Sequence, residues 1–134
     1  MLLVVALAAP LAGCGGDDYK METAQVSGVL TCQGKPVPNA MISFNPQSKE
    51  GSGAESGKSA TGTTDEQGKY TLTTYDLNDG ALVGTHTVTV SLMPAYNEQG
   101  DFTGPANPNA TFPCRGKTLT VEVKPEKNTI PLEL

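Results

Sequence analysis

The stretch Thr64-Asp65-Glu66-Gln67-Gly68-Lys69-Tyr70-Thr71-Leu72 combines a turn with the start of an alternating strand. Gly68 supplies the positive φ that such turns need, and the Asp65 side chain can accept hydrogen bonds from backbone amides of the turn. Alternate residues of a strand point to the same face, and here these residues are Tyr70, Leu72 and Thr74. The stretch therefore predicts a hairpin whose first arm is residues 61–64.

Alternation of the same kind extends in both directions from this hairpin, and no segment past residue 20 has helical periodicity. The residues that share a face within one strand are Val26, Gly28, Leu30 and Cys32; Ala40, Ile42 and Phe44; His86, Val88 and Val90; Leu119, Val121 and Val123; and Ile130, Leu132 and Leu134. Because each strand has one apolar face, two sheets must cover each other. The pattern predicts an all-β, about seven-stranded antiparallel β-sandwich.

Composition and charge favour a single small β domain. The chain has 134 residues, with 15 Gly, 10 Pro, 37% hydrophobic residues and no Trp. This length suits one core, and the abundance of Gly and Pro suits short strands joined by tight turns. The net charge of −5 argues against a nucleic-acid partner, because phosphate binding requires a basic surface.

The N-terminal residues are typical of an export signal. Leu2 to Ala9 are all apolar, a run too short to span a bilayer but of the length found in signal-peptide cores. The following Leu11-Ala12-Gly13-Cys14 resembles the bacterial lipobox, in which the Cys is acylated and the chain is cut before it. We therefore expect a lipoprotein signal peptide at 1–13, lipidation of Cys14 with a flexible tether over 14–25, and a β-sandwich domain over 26–134. The structural alternative is a buried helix that ends in a chance Cys.

The expected location follows from the lipid anchor. Several acyl chains bind a membrane firmly, whereas one chain binds it only marginally. Gly15 follows Cys14, so the acidic residue that retains some lipoproteins in the inner membrane is absent. The sequence predicts a cell-envelope protein anchored by lipid to the membrane, at the periplasmic face or in the outer membrane.

Two cysteines are left once Cys14 is assigned to the lipid. In an oxidising compartment an even pair favours a disulfide between Cys32 and Cys114, although two separate buried thiols are also compatible with the sequence. A zinc site is disfavoured, since the chain has no CxxC pair and one His.

Several motifs of the body resemble carboxypeptidase regulatory-like domains. The strings that match the start of these domains are Val26-Ser27-Gly28-Val29-Leu30, Gly34-Lys35-Pro36-Val37-Pro38-Asn39-Ala40 and Ile42-Ser43-Phe44. The hairpin is similar to the family's T-D-x-x-G-x-[FY]-x-L pattern, and residues 84–90 to its G-x-[YF]-x-V-x-V strand, with His86 at the usual aromatic position. Residues 127–132 are similar to its closing strand.

The resemblance extends over about residues 26–134 and is weakest over 94–116, which contains four Pro and three Gly. It implies a transthyretin-like (prealbumin-like) β-sandwich. The combination of these motifs with a lipobox looks like short lipoproteins of planctomycete-type bacteria.

The residues do not predict a catalytic site or a cofactor. The sequence has no G-x-S-x-G, H-E-x-x-H or phosphate-binding loop, and Ser52, Ser56 and Ser59 lie in a polar loop over 47–59 that is unsuited to holding a nucleophile. His86 sits in a Thr/Val strand without a signalled partner, so we expect a half-buried imidazole that packs or hydrogen-bonds to Thr neighbours. We expect a protein that is not an enzyme.

Two classes of ligand are considered for the loops. Asp76-Leu77-Asn78-Asp79-Gly80 resembles a calcium loop superficially, but its spacing is wrong for an EF-hand, and such carboxylates more often cap turns. Glycan platforms use flat aromatics, whereas Tyr75, Tyr96 and Phe102 are scattered along the sequence. The function we expect is a structural or protein/polymer interaction module with an unknown envelope partner and no small-molecule substrate. The alternative is an accessory domain that binds calcium or glycan.

Overall fold

The protein is described by a computed structural model that covers residues 20–47 and 57–134. The predicted signal peptide, Cys14 and most of the predicted loop over 47–59, including Ser52 and Ser56, lie outside the described residues. The described residues form eleven strands and one short 3-10 helix, Pro108–Thr111. The strands are β1 (Thr23–Ala24), β2 (Val26–Cys32), β3 (Lys35–Pro36), β4 (Ala40–Pro46), β5 (Ala60–Thr63), β6 (Lys69–Thr71), β7 (Ala81–Leu82), β8 (Gly84–Leu92), β9 (Thr118–Val123), β10 (Asn128–Thr129) and β11 (Leu132–Glu133). Over the two described ranges, no helix is long and apolar enough to cross a membrane.

One sheet contains four antiparallel strands in the order β5-β4-β8-β9. Alternation decides which side chains it buries: Ala40, Ile42 and Phe44 of β4 are fully buried. In β8, His86 and Val88 point inward while Thr85 and Thr89 are exposed. The predicted faces of these two strands are confirmed.

The second sheet is built around β2. Strands β6 and β3 pair with it antiparallel along one edge, and β10 and β11 pair with it parallel along the other. The chain therefore ends on a strand that runs in the same direction as its first long strand. The two sheets meet face to face, as the 6.3 Å between the ring centroids of Phe44 and Tyr70 shows. The predicted all-β sandwich is confirmed.

The predicted hairpin over 61–72 is present, but its two arms belong to different sheets. Strand β5 pairs with β4, whereas β6 pairs with β2. The arms are joined beyond the turn by a single bridge between Thr61 and Thr73. Gly62 permits this close approach, because a Cβ atom there would lie 2.5 Å from the carbonyl oxygen of Thr71. The hairpin thus closes one corner of the sandwich.

The domain begins earlier than residue 26. Thr23 and Ala24 form β1, which pairs antiparallel with β7, and Ala24 is buried in the core. Residues 23–24 were assigned to the tether by the sequence analysis, because two residues are too few to show alternation. Thr23 and Ala24 therefore belong to the sandwich and not to the predicted tether.

Tyr70 links the last strand to the centre of the second sheet. Its hydroxyl donates a hydrogen bond of 2.5 Å to the carbonyl oxygen of Ile130, the first of the two residues between β10 and β11. Gly28 of β2 lies beneath this contact, since a Cβ atom there would overlap the Ile130 carbonyl. Burial raises the pKa of Tyr70 and so keeps its hydroxyl protonated and able to donate.

We predict that Tyr70→Phe lowers the free energy of unfolding by about 1–3 kcal/mol, because the Ile130 carbonyl loses its side-chain partner. Urea unfolding monitored by circular dichroism measures the difference. Tyr96→Phe is the matched control, since the Tyr96 side chain is exposed and the change is expected to stay within about 0.5 kcal/mol of wild type. Equal stability of the two variants would contradict the assigned role of Tyr70.

Candidate functional site

The strand registers place residues 20–24, which lead into the sandwich, and the connection between β8 and β9 at opposite ends of the sandwich. Strand β8 starts at Gly84, next to Val123 and close to the β1–β7 pair, and it ends at Leu92, next to Ala40. Nine residues of strand extend roughly 25–30 Å. We call the end that contains residues 20–24 and the loop 74–83 the entry pole, and the end that contains the connection 93–117 the far pole.

The far-pole connection is fastened at its C-terminal side by a disulfide. The structure joins Cys114 to Cys32 at the end of β2, and the bond links positions 82 residues apart. Cys114 and the nearby Phe112 are both buried. The sequence is compatible with a disulfide or with two separate buried thiols, and the structure shows the disulfide.

An amide side chain in the second half of the connection ties it back to the end of β8. Asn109, in the 3-10 helix, accepts a hydrogen bond from the backbone N–H of Leu92 at 2.8 Å and donates one to the Leu92 carbonyl oxygen at 2.9 Å. This pair of bonds imitates a neighbouring strand at the end of β8. Residues 93–108 are therefore closed into a loop between Leu92 and Asn109.

A small hairpin lies within the segment that Leu92 and Asn109 close. Tyr96 and Phe102 lie opposite each other, flanked by the hydrogen bonds Asn97 N–H to Asp101 O (2.9 Å) and Thr103 N–H to Ala95 O (3.0 Å). This is the non-hydrogen-bonded position of an antiparallel pair, where side chains come closest. Accordingly, the two ring centroids are 4.6 Å apart, with a tilt of 46° between the ring planes.

The turn of this hairpin repeats the turn over 65–69. In the first turn the Asp65 carboxylate accepts bonds from the N–H groups of Gln67 and Lys69, as predicted for this side chain. In the second the Asn97 side-chain oxygen accepts bonds from the N–H groups of residues 99 and 101, at 3.0 and 2.9 Å. The fourth residue of each turn, Gly68 or Gly100, has a positive φ of 76° or 84°.

The shared turn was the signal that the sequence analysis missed. The strings Asp65-Glu66-Gln67-Gly68 and Asn97-Glu98-Gln99-Gly100 differ in one residue, and each is followed two positions later by an aromatic residue. Reading the second string as a hairpin would have placed Tyr96 opposite Phe102. The interpretation of these two aromatics as scattered was wrong, because the turn brings them together.

The two hairpins differ in what they do with their aromatic residues. Tyr70 is buried in the sandwich, whereas Tyr96 and Phe102 are 56% and 55% exposed. Glu98 and Asp101 lie on the same projecting hairpin and are also exposed. We name residues 95–103 the aromatic hairpin, and its exposed ring pair and two carboxylates make it the candidate interaction site.

At the entry pole, Asp79 organises the loop that resembles a calcium site. Its carboxylate accepts hydrogen bonds from the backbone N–H groups of Thr74 (2.7 Å), Tyr75 (2.9 Å) and Asp76 (3.0 Å). Partial burial acts to raise the pKa of Asp79, but these backbone bonds outweigh it and hold the pKa below its usual value. Asp79 thus serves as a turn cap, and within the part of the chain that the structure describes no three His, Cys, Asp or Glu side chains form a group suited to a metal ion.

The same loop receives the incoming chain. The backbone N–H of Met21 donates to the Tyr75 hydroxyl at 3.3 Å, Lys20 forms a 3.0 Å ion pair with Asp76, and Val83 N–H donates to the Glu22 carbonyl oxygen. The residues that Asp79 caps therefore also dock the segment leading to Cys14.

His86 is a core residue, and it is more buried than the sequence suggested. Its imidazole is completely buried, its Nε2 lies 2.6 Å from the carbonyl oxygen of Leu82, and its ring centroid lies 5.7 Å from that of Phe44. The expectation of a half-buried ring that packs or hydrogen-bonds to Thr neighbours was wrong, because the ring is fully buried and its hydrogen-bond partner is the carbonyl oxygen of Leu82 in β7. Nδ1 has no hydrogen-bond partner.

Comparisons with known proteins give one distant structural likeness. The fold is similar to a solved structure of a DUF3823 family protein from Parabacteroides merdae, with a TM-score of 0.47 and 12% sequence identity over 85% of this chain and 46% of that one. The chain thus spans about half the length of that protein. No protein-family model matches the chain, and no curated protein matches it.

We predict that Asp79→Asn lowers the free energy of unfolding at pH 7 by about 1 kcal/mol, because the charged carboxylate binds the three N–H groups more strongly than an amide does. A carboxyl whose folded pKa is depressed stabilises the fold above its unfolded pKa of about 3.9, and this stabilisation is lost as the pH falls through the lower folded pKa. Urea unfolding at pH 7 and below pH 3 should therefore show the difference from wild type shrinking in acid. Asp76→Asn is the control, since it breaks only an exposed ion pair and should change the stability little. If the effect of Asp79→Asn on stability were as large in acid as at pH 7, the role of the Asp79 carboxylate as a turn cap would be contradicted.

We predict that Cys32→Ser/Cys114→Ser lowers the free energy of unfolding by up to about 4 kcal/mol, as chain-entropy arguments give for a long closed loop. The variant should also expose residues 93–117 to limited proteolysis before the strands are cut, because the disulfide fastens this connection. Mass spectrometry of the fragments locates the first cleavage. A first cut within the sandwich strands would show that the connection is held without the bond.

Proposed function

We propose that the protein is a non-catalytic lipoprotein of the cell envelope, anchored to a membrane through Cys14, that uses its far pole to bind another envelope component. The observation that carries this proposal is the placement of the chain entry and the aromatic hairpin at opposite ends of one rigid sandwich. A membrane attached at the entry pole leaves the far pole facing away from the lipid. The exposed ring pair is then available to a partner.

The lipid anchor is supported by the sequence before the sandwich. The apolar run and the lipobox-like Leu11-Ala12-Gly13-Cys14 lie shortly before the docked residues 20–24. The residues from Cys14 to Lys20 can extend at most about 3.5 Å each, or roughly 20 Å in total. With the sandwich added, the aromatic hairpin can stand roughly 45 Å from the bilayer surface.

The finer family proposal is a carboxypeptidase regulatory-like domain with a transthyretin-like arrangement, found in lipoproteins of planctomycete-type bacteria. It is supported by motifs that fall on matching elements: the T-D-x-x-G-x-[FY]-x-L string makes the corner hairpin, and the G-x-x-x-V-x-V string makes β8. The closing string makes β10 and β11.

The alternative of an accessory ligand domain has one observation in its favour. An exposed pair of aromatic rings in contact, such as Tyr96 and Phe102, is compatible with a glycan. Calcium has no comparable support, since the Asp79 carboxylate already accepts three backbone N–H groups.

We predict that the protein, expressed with its own N-terminus in a bacterium that exports lipoproteins, incorporates an alkyne-tagged palmitate and partitions into the detergent phase. Mass spectrometry should find a mature chain that begins at an acylated Cys14. Cys14→Ser should abolish labelling and shift the protein to the aqueous phase, because one substitution removes the acceptor thiol.

The double variant Cys32→Ser/Cys114→Ser is the matched control, since it removes the two other cysteines and should label as wild type does. Labelling that persists in Cys14→Ser, or a purified envelope protein that retains Met1, would overturn the anchor.

A further inference from the structure

We propose that the aromatic hairpin binds a basic protein segment, with an Arg or Lys side chain against the Tyr96–Phe102 pair and with the segment's positive charge attracted by Glu98 and Asp101 of the same hairpin. This inference rests on the proposed function and adds the chemistry of the partner. It starts from two exposed rings that the core does not need, since neither belongs to the buried cluster.

Internal hydrogen bonds hold the aromatic hairpin in its conformation without a partner. The turn supplies four internal hydrogen bonds, and the connection is fastened at Asn109 and Cys114. Rings held in place lose little conformational freedom when they are covered, and Tyr is enriched among the residues that dominate binding energies for this reason. A rigid, exposed ring pair therefore suits an interface.

The negative charge of the segment from Met93 to Cys114 favours a positively charged partner. From Met93 to Cys114 the chain contains Glu98 and Asp101 and no Lys or Arg. The basic residues Arg115 and Lys117 follow only after the disulfide, at the base of the connection. A cation is attracted both by the two carboxylates and by the electron-rich faces of the rings.

The same chain already contains a contact of this kind at the entry pole. The Lys58 ammonium lies 5.4 Å from the centroid of the Tyr75 ring, within the range of a cation–π interaction. At the far pole the corresponding cation has to come from outside the segment 93–114. Arg fits best, since its planar guanidinium can stack on a ring and bind a carboxylate with two hydrogen bonds.

A neutral sugar would use this surface less well. The Asn97 side-chain oxygen is occupied by the turn, and a sugar can donate hydroxyl hydrogen bonds to Glu98 and Asp101 but brings no positive charge to pair with them. A cation adds charge-assisted hydrogen bonds to the carboxylates and a cation–π contact with the rings. The arrangement consequently favours a basic partner.

The test measures binding of a short fluorescein-labelled peptide of alternating Gly and Arg to the full-length protein purified in an uncharged detergent, which requires no acylation of Cys14. Fluorescence anisotropy gives Kd, and a peptide with citrulline in place of Arg is the neutral analogue. We expect saturable binding of the Arg peptide below about 1 mM, weakened by added salt, and at least about tenfold weaker binding of the citrulline peptide.

Substitutions then locate the site. Tyr96→Ala/Phe102→Ala should weaken binding about tenfold and Glu98→Gln/Asp101→Asn about three- to fivefold, while Tyr96→Phe should bind within about twofold of wild type. Two matched controls should leave Kd unchanged. Glu66→Gln occupies the position of Glu98 in the first turn, and Leu77→Ala removes an 85% exposed apolar side chain at the entry pole.

Equal binding of the Arg and citrulline peptides, no saturation, or wild-type affinity of Tyr96→Ala/Phe102→Ala would overturn the proposal. Binding of an N-acetylglucosamine oligomer that depends on Tyr96 and Phe102, without binding of the Arg peptide, would replace the basic partner with a glycan. Each of these results is independent of Cys14 labelling, so failure of this inference is distinguishable from failure of the lipid anchor.

Discussion

The contact between Gly28, Tyr70 and the Ile130 carbonyl is the constraint on which the sandwich depends. It brings together the central strand of the second sheet, the arm of the corner hairpin and the last strand at a single point. A side chain at residue 28 would occupy the place of the Ile130 carbonyl, so β10 and β11 could not both lie along β2. Because the corner hairpin also supplies β5 to the first sheet, this contact ties the two sheets to each other.

How far the fold could be predicted depends on whether each feature is local. The inward faces of β4 and β8 followed from alternation alone, and the Asp65 cap followed from the chemistry of one turn. The direction of the last strand and the split of the corner hairpin did not follow, because both depend on pairings between residues far apart in sequence. His86 was misjudged for a similar reason, since its partner is a backbone carbonyl that no side-chain pattern marks.

The aromatic hairpin was also only partly predictable from the sequence. The region 94–116 looked irregular because its Pro and Gly content obscured a turn already present at 65–68. Once the turn is recognised, the pairing of Tyr96 with Phe102 is a local consequence and needs no information from the rest of the fold. Their exposure, by contrast, depends on how the connection lies against the sandwich, where Asn109 joins it to the end of β8 and Cys114 joins it to the end of β2.

The two copies of the turn place their aromatic residues differently, one in the core and one at the surface. In the corner hairpin the aromatic residue after the turn is Tyr70, and its burial helps to hold the core. In the projecting hairpin the equivalent residue is Phe102, whose removal costs the core nothing because the ring is outside it. The aromatic hairpin can therefore change its rings and charges with little effect on folding, so its two rings and two carboxylates can be altered to test the proposed basic partner without disturbing the core.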